Sequence, residues 1–205
     1  MSQNTSSAVM QQRSEPHDSL DDFPTPPWAT RALCEKMDQI GLPMRGFARE
    51  PTANRGHMVK PLQEYFRSVE ASDIHDYGAG YPVRDYLFGP EPDPVDWTVT
   101  NPPFRLAEQF IERARVTSDK GCAFILRSAF LEGVGRYERL FEKSPPAYVF
   151  QFTERVVMHK GKLSAKGSTA TAYCWLVWLS CPVAGTEIKW IGPCRRRLER
   201  PEDYL

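Results

Sequence analysis

Asn101-Pro102-Pro103-Phe104 is the stretch of this 205-residue chain whose residue types point most directly to a reaction. The amide oxygen of Asn101 and the carbonyl of Pro102 can accept both hydrogens of an exocyclic amine, while the Phe104 ring stacks on the flat heterocycle that carries it. Such an arrangement suits methylation of an amino group. The same four residues also read as a turn, because Asn-Pro starts turns and Pro-Pro stops strands. The elements around them decide between the two readings.

The motif closes an apolar run, Val95 to Thr100, that reads as a buried strand. Before it, Pro26 opens a helix with Trp28, Leu33, Met37 and Ile40 on one face, ended by Gly41 and Pro43. A short strand is expected near Gly46–Glu50, a helix from about Gly56 to Phe66, a strand at Val69–Asp73 and a shorter strand near Tyr81–Tyr86. After the motif come a helix through Leu106, Phe110, Ile111 and Ala114 and a nearly all-apolar strand, Gly121–Leu126. Strands alternating with helices indicate a largely parallel, doubly wound α/β sheet covered on both faces. Later, Tyr137–Phe141 reads as helix, Ala147–Phe152 as strand, the following polar and basic stretch as non-core, Thr171–Leu179 as a long strand, and Pro193–Leu205 as a surface tail. Residues 1–22, rich in Ser, Gln and acidic groups, read as a disordered leader, leaving 23–205 as a single domain.

In a doubly wound sheet, ligands bind outside the carboxyl ends of the strands, so the loop after the first strand, Glu50 to His57, bears on the cofactor. A pyrophosphate loop needs several glycines; this one has only Gly56 and opens with a carboxylate, which disfavours NAD and ATP. S-adenosylmethionine, with a cationic amine and no phosphate, suits Glu50 better, and Asn54 tolerates a left-handed turn. Asp73 can accept both ribose hydroxyls, and Asp85 the adenine amine, with Tyr86 or Phe88 against the ring.

Composition bounds the rest. Lys plus Arg equals Asp plus Glu at 26 each, so no global attraction draws the chain to a polyanion. Five cysteines without a CxxC pair suggest buried free thiols in a reduced, cytoplasmic setting. The apolar run Ala172–Leu179 is far short of the roughly 18 residues of a membrane helix. The four histidines, His17, His57, His75 and His159, have no metal-ligand spacing, so neither a metal nor a membrane is expected.

On these motifs the chain resembles the S-adenosylmethionine-dependent DNA N6-adenine methyltransferases of bacteria and phages over roughly Phe23 to Tyr204. Thr25-Pro26 is similar to the family's Thr-Pro element near the methionine part of the cofactor. Glu50-Pro51 and Gly56 match the opening and final glycine of the cofactor loop, with Thr52 and Asn54 between them as further cofactor contacts. Asp73 matches the ribose acid, and Asp85 with Tyr86 the adenine side. Asn101, Pro102, Pro103 and Phe104 match the catalytic (Asp/Asn/Ser)-Pro-Pro-aromatic motif. The cofactor-first order is that of the gamma-like arrangement. The loop departs from the family at Thr52-Ala53-Asn54, where a small residue, Cys or a similar group, and Gly are usual; over 205 residues no sizeable separate target-recognition region is expected. The resemblance implies a Rossmann-like class I methyltransferase sheet flanked by helices, with a late antiparallel strand. It also implies duplex DNA as partner with the target base flipped out, and leaves a homo-oligomer open.

The motif specifies the reaction better than the substrate. RNA-base and protein-glutamine N-methyltransferases share it, and a catalytically degenerate fold serving as a nucleic-acid-binding module is a third reading. Local charge bears on this choice: between Arg127 and Lys166 there are eight Lys/Arg against four Glu. The segment His159–Thr171, within a basic stretch of about 127–171, offers charged and hydroxyl donors to phosphates.

Overall fold

The computed structural model describes residues 20–181 and 183–204, so the leader expected over 1–22 lies outside it except for Leu20, Asp21 and Asp22. Helix α1 (Pro27–Gln39) starts at a proline, whose fixed φ and missing N–H suit a first turn. Strand β1 (Phe47–Glu50) follows, then the short helix α2 (Val59–Leu62) and strand β2 (Ser68–Ala71). Strand β3 (Val95–Thr100) leads through a 3-10 turn at Phe104–Leu106 into helix α3 (Ala107–Val116). Strand β4 (Ser118–Arg127), helix α4 (Val134–Arg136) with its π-helical continuation Tyr137–Phe141, and strands β5 (Tyr148–Phe152), β6 (Tyr173–Leu179) and β7 (Glu187–Ile191) come next. Helix α5 (Arg195–Leu198) and a 3-10 turn, Pro201–Tyr204, complete the described chain.

The seven strands form one sheet in the order β2-β1-β3-β4-β6-β5-β7. β2, β1, β3 and β4 run parallel, and β6 is antiparallel to both β4 and β5. Side chains of β4 and β6 alternate between two cores, because successive residues of a strand face opposite ways. Ala123, Ile125, Trp175 and Val177 pack with Trp28, Leu33 and Met37 of α1. Cys122, Phe124, Leu126, Leu176 and Trp178 pack with Phe110, Ile111 and Ala114 of α3. Both faces are therefore covered, which explains the unbroken apolar runs that mark these strands in the sequence. No helix of the described residues is long and apolar enough to cross a membrane.

Five expectations are corrected. The helix from Gly56 to Phe66 shrinks to one turn, since Pro61 brings no amide hydrogen and the amides of Glu64 and Tyr65 bond three residues back rather than four. The strand near Tyr81–Tyr86 reduces to a single parallel bridge, Asp73 to Val83, in a stretch punctuated by Gly78, Gly80, Pro82 and Gly89. Val156, Val157 and Met158 are buried, so the basic stretch before β6 does contribute to the core. Residues 193–204 are a docked element rather than a surface tail: Leu198 is buried, Arg197 pairs with Glu35, Arg200 with Glu64, and Asp203 with the buried Arg31. Finally, not every thiol is buried, because Cys181 is exposed.

Candidate active site

Because β1, β3 and β4 are parallel, their last residues share one edge of the sheet. Glu50, Arg127 and, one step beyond β3, Asn101 fall there. The strand order reverses direction beside β1, the place where open α/β sheets form a crevice. A cavity of about 580 Å³ opens at this point, within the range of small-molecule sites, roughly 300–1,000 Å³. Its wall comes from residues 20–25, the loop after β1, the segments around Asp73 and Asp85, the Asn101–Phe110 stretch, and Arg127.

Of the expected residues, Thr25, Thr52, Asn54, Asp73, Asp85, Tyr86, Asn101, Pro103 and Phe104 line this cavity. Pro102 lines a smaller recess of about 20 Å³ next to it, together with Asn101, Phe104 and Arg127. Pro26, Glu50 and Gly56 are not on the cavity wall. Pro26 caps α1. Gly56 takes φ +84°, a left-handed conformation that favours glycine, and so turns the loop. Tyr86 is mostly committed to the core, its ring on Phe110 and its hydroxyl 3.3 Å from Thr117 Oγ1. Phe88, exposed at the rim, is the freer aromatic. Asp85 caps its own turn, with Oδ1 accepting from the backbone N–H groups of Leu87 and Phe88.

Glu50 is fully buried and organises the loop from behind. Its Oε1 accepts from Thr52 N (2.9 Å) and Thr100 Oγ1 (2.6 Å) and lies 2.9 Å from Thr52 Oγ1, while Oε2 is buried without a partner among the described residues. Burial pushes its carboxyl up to about 7, against the pull of the Thr100 and Thr52 donors. Thr52 Oγ1 also donates to the backbone carbonyl of Asn101 at 3.0 Å. The Thr52-Ala53-Asn54 departure thus has a local purpose: Thr52 ties the first loop to the Asn101 loop. Asn54 takes φ +50°, the left-handed turn expected of it, and its N–H donates to Asp73 Oδ2 at 2.8 Å. Asp73 Oδ1 accepts from His75 N at 3.0 Å. Burial raises the Asp73 carboxyl above its ordinary range, and these backbone donors oppose the rise.

At Asn101, Nδ2 donates to the carbonyl of Phe23 at 2.9 Å. Only the amide nitrogen can make that bond, so the flip of the amide is fixed and Oδ1 remains the free acceptor among the described residues. Phe104 is held by its N–H, which donates to Asp21 Oδ2 at 2.8 Å. Asp22 accepts from Asn54 Nδ2 and Arg55, and its carbonyl from Gly161 N. Asp21, Asp22 and Phe23 therefore brace three loops at once. Sequence reasoning assigned the two aspartates to the leader; their position immediately before Phe23-Pro24-Thr25-Pro26 was the available signal. His57 was also missed as a wall residue; burial, then Arg55 and Lys60, lower its pKa and favour the neutral imidazole.

Solved structures with similar folds include methyltransferases. A proposed RNA methyltransferase from Pyrococcus horikoshii matches with a TM-score of 0.57 and 16% identity, covering 80% of this chain and 90% of that one. The magnesium protoporphyrin IX methyltransferase of Synechocystis PCC 6803, with S-adenosylmethionine bound, matches with 0.52 and 11%, covering 76% and 79%. A Lactococcus lactis protein described as a proposed hemolysin matches with 0.51 and 11%, covering 78% and 92%. Identities this low speak for the fold alone. That fold is the Rossmann-like class I methyltransferase sheet, flanked by helices and carrying a late antiparallel strand. Comparison with protein-family models and with curated proteins gave no match.

Proposed function

We propose that the chain transfers a methyl group from S-adenosylmethionine to the N6 amine of adenine in DNA. The observation that carries this reading is the pinned Asn101 amide, whose fixed orientation presents Oδ1 as an acceptor beside an aromatic ring at the cavity. The cofactor, when bound, supplies an electrophilic methyl group on a sulfonium. The cavity suits it: the wall offers the Asp73 carboxylate for ribose hydroxyls, and Thr25 on the same wall has a buried Oγ1 without a partner among the described residues. The wall carries no glycine-rich phosphate cradle.

An adenine N6 lone pair is delocalised into its ring. Asn101 Oδ1 and the Pro102 carbonyl accept its two hydrogens, favour a more tetrahedral nitrogen and hold it in line for attack. Phe104 stacks on the base. Support for this reading comes from the hydrogen bonds by which Phe23, Thr52 and Asp21 hold Asn101 and Phe104.

DNA as substrate draws support from the loop before β6. Arg155, Lys162 and Lys166 are exposed there, and Gly161 N donates to Asp22 O, which joins the loop to the site. The local charge excess is smaller than the sequence count, because Arg136 and Arg139 both pair with Glu108. The test is transfer of labelled methyl from S-adenosylmethionine to unmethylated duplex DNA, with RNA and protein in parallel, followed by nucleoside analysis. N6-methyladenine in DNA is expected. Label confined to RNA or protein would overturn the substrate, and no transfer at all would overturn the reaction.

A further inference from the structure

Arg127 ends β4 at the catalytic edge of the sheet and lines both the large cavity and the small recess beside Asn101. Its guanidinium lies over the Phe104 ring, 4.9 Å from the centroid. Neighbouring arginines are occupied: Arg55 pairs with Asp22, Arg84 with Glu70, Arg136 and Arg139 with Glu108, and Arg113 donates to the carbonyls of Leu87, Gly89 and Pro90. Arg127 has neither a carboxylate nor a carbonyl partner among the described residues. The acid that shares the recess, Asp21, gives its Oδ2 to the Phe104 N–H.

A guanidinium held over an aromatic face, with no carboxylate or carbonyl partner among the described residues, keeps its N–H donors for a planar or tetrahedral anion. Resting on the function proposed above, we infer that Arg127 binds the backbone phosphate of the nucleotide whose base enters the Asn101–Phe104 site. A phosphate lies one sugar away from its base, and Arg127 stands one ring away from the base platform. Arg127 is thereby a substrate-binding residue that reads nucleic acid as a class, without reading sequence. A glutamine amide in a protein carries no such anion.

The test compares the wild type with Arg127→Gln and Arg127→Lys. Each is titrated with adenine-containing duplex DNA, single-stranded DNA and RNA of the same sequence between about 50 and 200 mM salt, with S-adenosylmethionine binding as the control for an intact site. R127Q is expected to bind nucleic acid about ten- to a hundredfold more weakly, with cofactor affinity unchanged. Its slope of log K against log salt should shrink by about 0.9 on duplex DNA and about 0.7 on single strands. R127K should restore the slope, because it keeps the charge while losing the planar fork. Equal losses on DNA and RNA support a shared phosphate contact, and a loss on one alone assigns the source to that polymer. A wild-type slope in R127Q overturns the inference and leaves the proposed reaction standing. A wild type that binds S-adenosylmethionine but no nucleic acid overturns both, and the wild-type arm alone reveals it.

Discussion

Glu50 makes protein stability depend on pH in an unusual direction, and replacing it by Gln exposes the effect. Its carboxyl sits at about 7 in the folded protein against 4.5 unfolded, chiefly because burial disfavours the charge. A folded-state pKa above the unfolded one means that the native state holds the proton more tightly. Stability from this group is therefore fully present below about 4.5 and is lost as pH rises through about 7. The difference of about 2.5 corresponds to about 3 kcal/mol. Urea unfolding of the wild type and Glu50→Gln, measured from pH 4.5 to pH 8 (), should show a stability difference that shifts by about 3 kcal/mol in favour of the Gln variant across that window. Other carboxylates cancel in the comparison, and any fixed penalty of the Gln side chain offsets both ends equally. A difference that stays flat over the window would refute the assignment of a protonated, buried Glu50.

Asn101→Ala removes one preorganised acceptor, so kcat should fall by about 10²–10³ with cofactor affinity preserved, read by single-turnover methyl transfer and calorimetry. Asp73→Asn replaces one of two oxygens that accept backbone N–H groups with a donor; cofactor binding should weaken by about 1.5–3 kcal/mol, measured by calorimetry. Thr52→Val cuts the tie between the Glu50 loop and the Asn101 carbonyl and should lower stability by about 1 kcal/mol in urea unfolding. Arg31→Ala leaves the buried Asp203 without its partner and should cost about 3–5 kcal/mol in the same assay.

The edge of the sheet that carries the candidate site was legible as structure because its signals are local. A buried strand such as Val95–Thr100 is a continuous apolar run, and Asn-Pro-Pro-Phe is a contiguous motif, so both can be read without knowing what lies across the sheet. Asn54 was legible for the same reason, since a left-handed turn is a property of one residue. β7 was not read, although Glu187-Ile188-Lys189-Trp190-Ile191 alternates, because its pairing with β5 is a distant contact and its residues at the sheet edge are largely exposed. Arg195 to Arg197 read as a tail because the Arg197 partner Glu35, and the burial of Leu198 against α1, appear only in three dimensions.

Asp21 and Asp22 were obscured by a different effect. Two acids at the end of a polar stretch have the composition of a solvated leader. What makes them structural is that the loops carrying Phe104, Asn54 and Arg55 bring backbone and side-chain donors to the same place from positions about 30 to 80 residues away in the chain. The adjacent carbonyl of Phe23 accepts from the Asn101 amide. A short segment therefore sets the geometry of both the loop after β1 and the Asn101–Phe104 loop. Altering Asp21 should change methyl transfer through Phe104, and altering Asp22 through Asn54 and Arg55, without either aspartate needing to touch the reacting atoms.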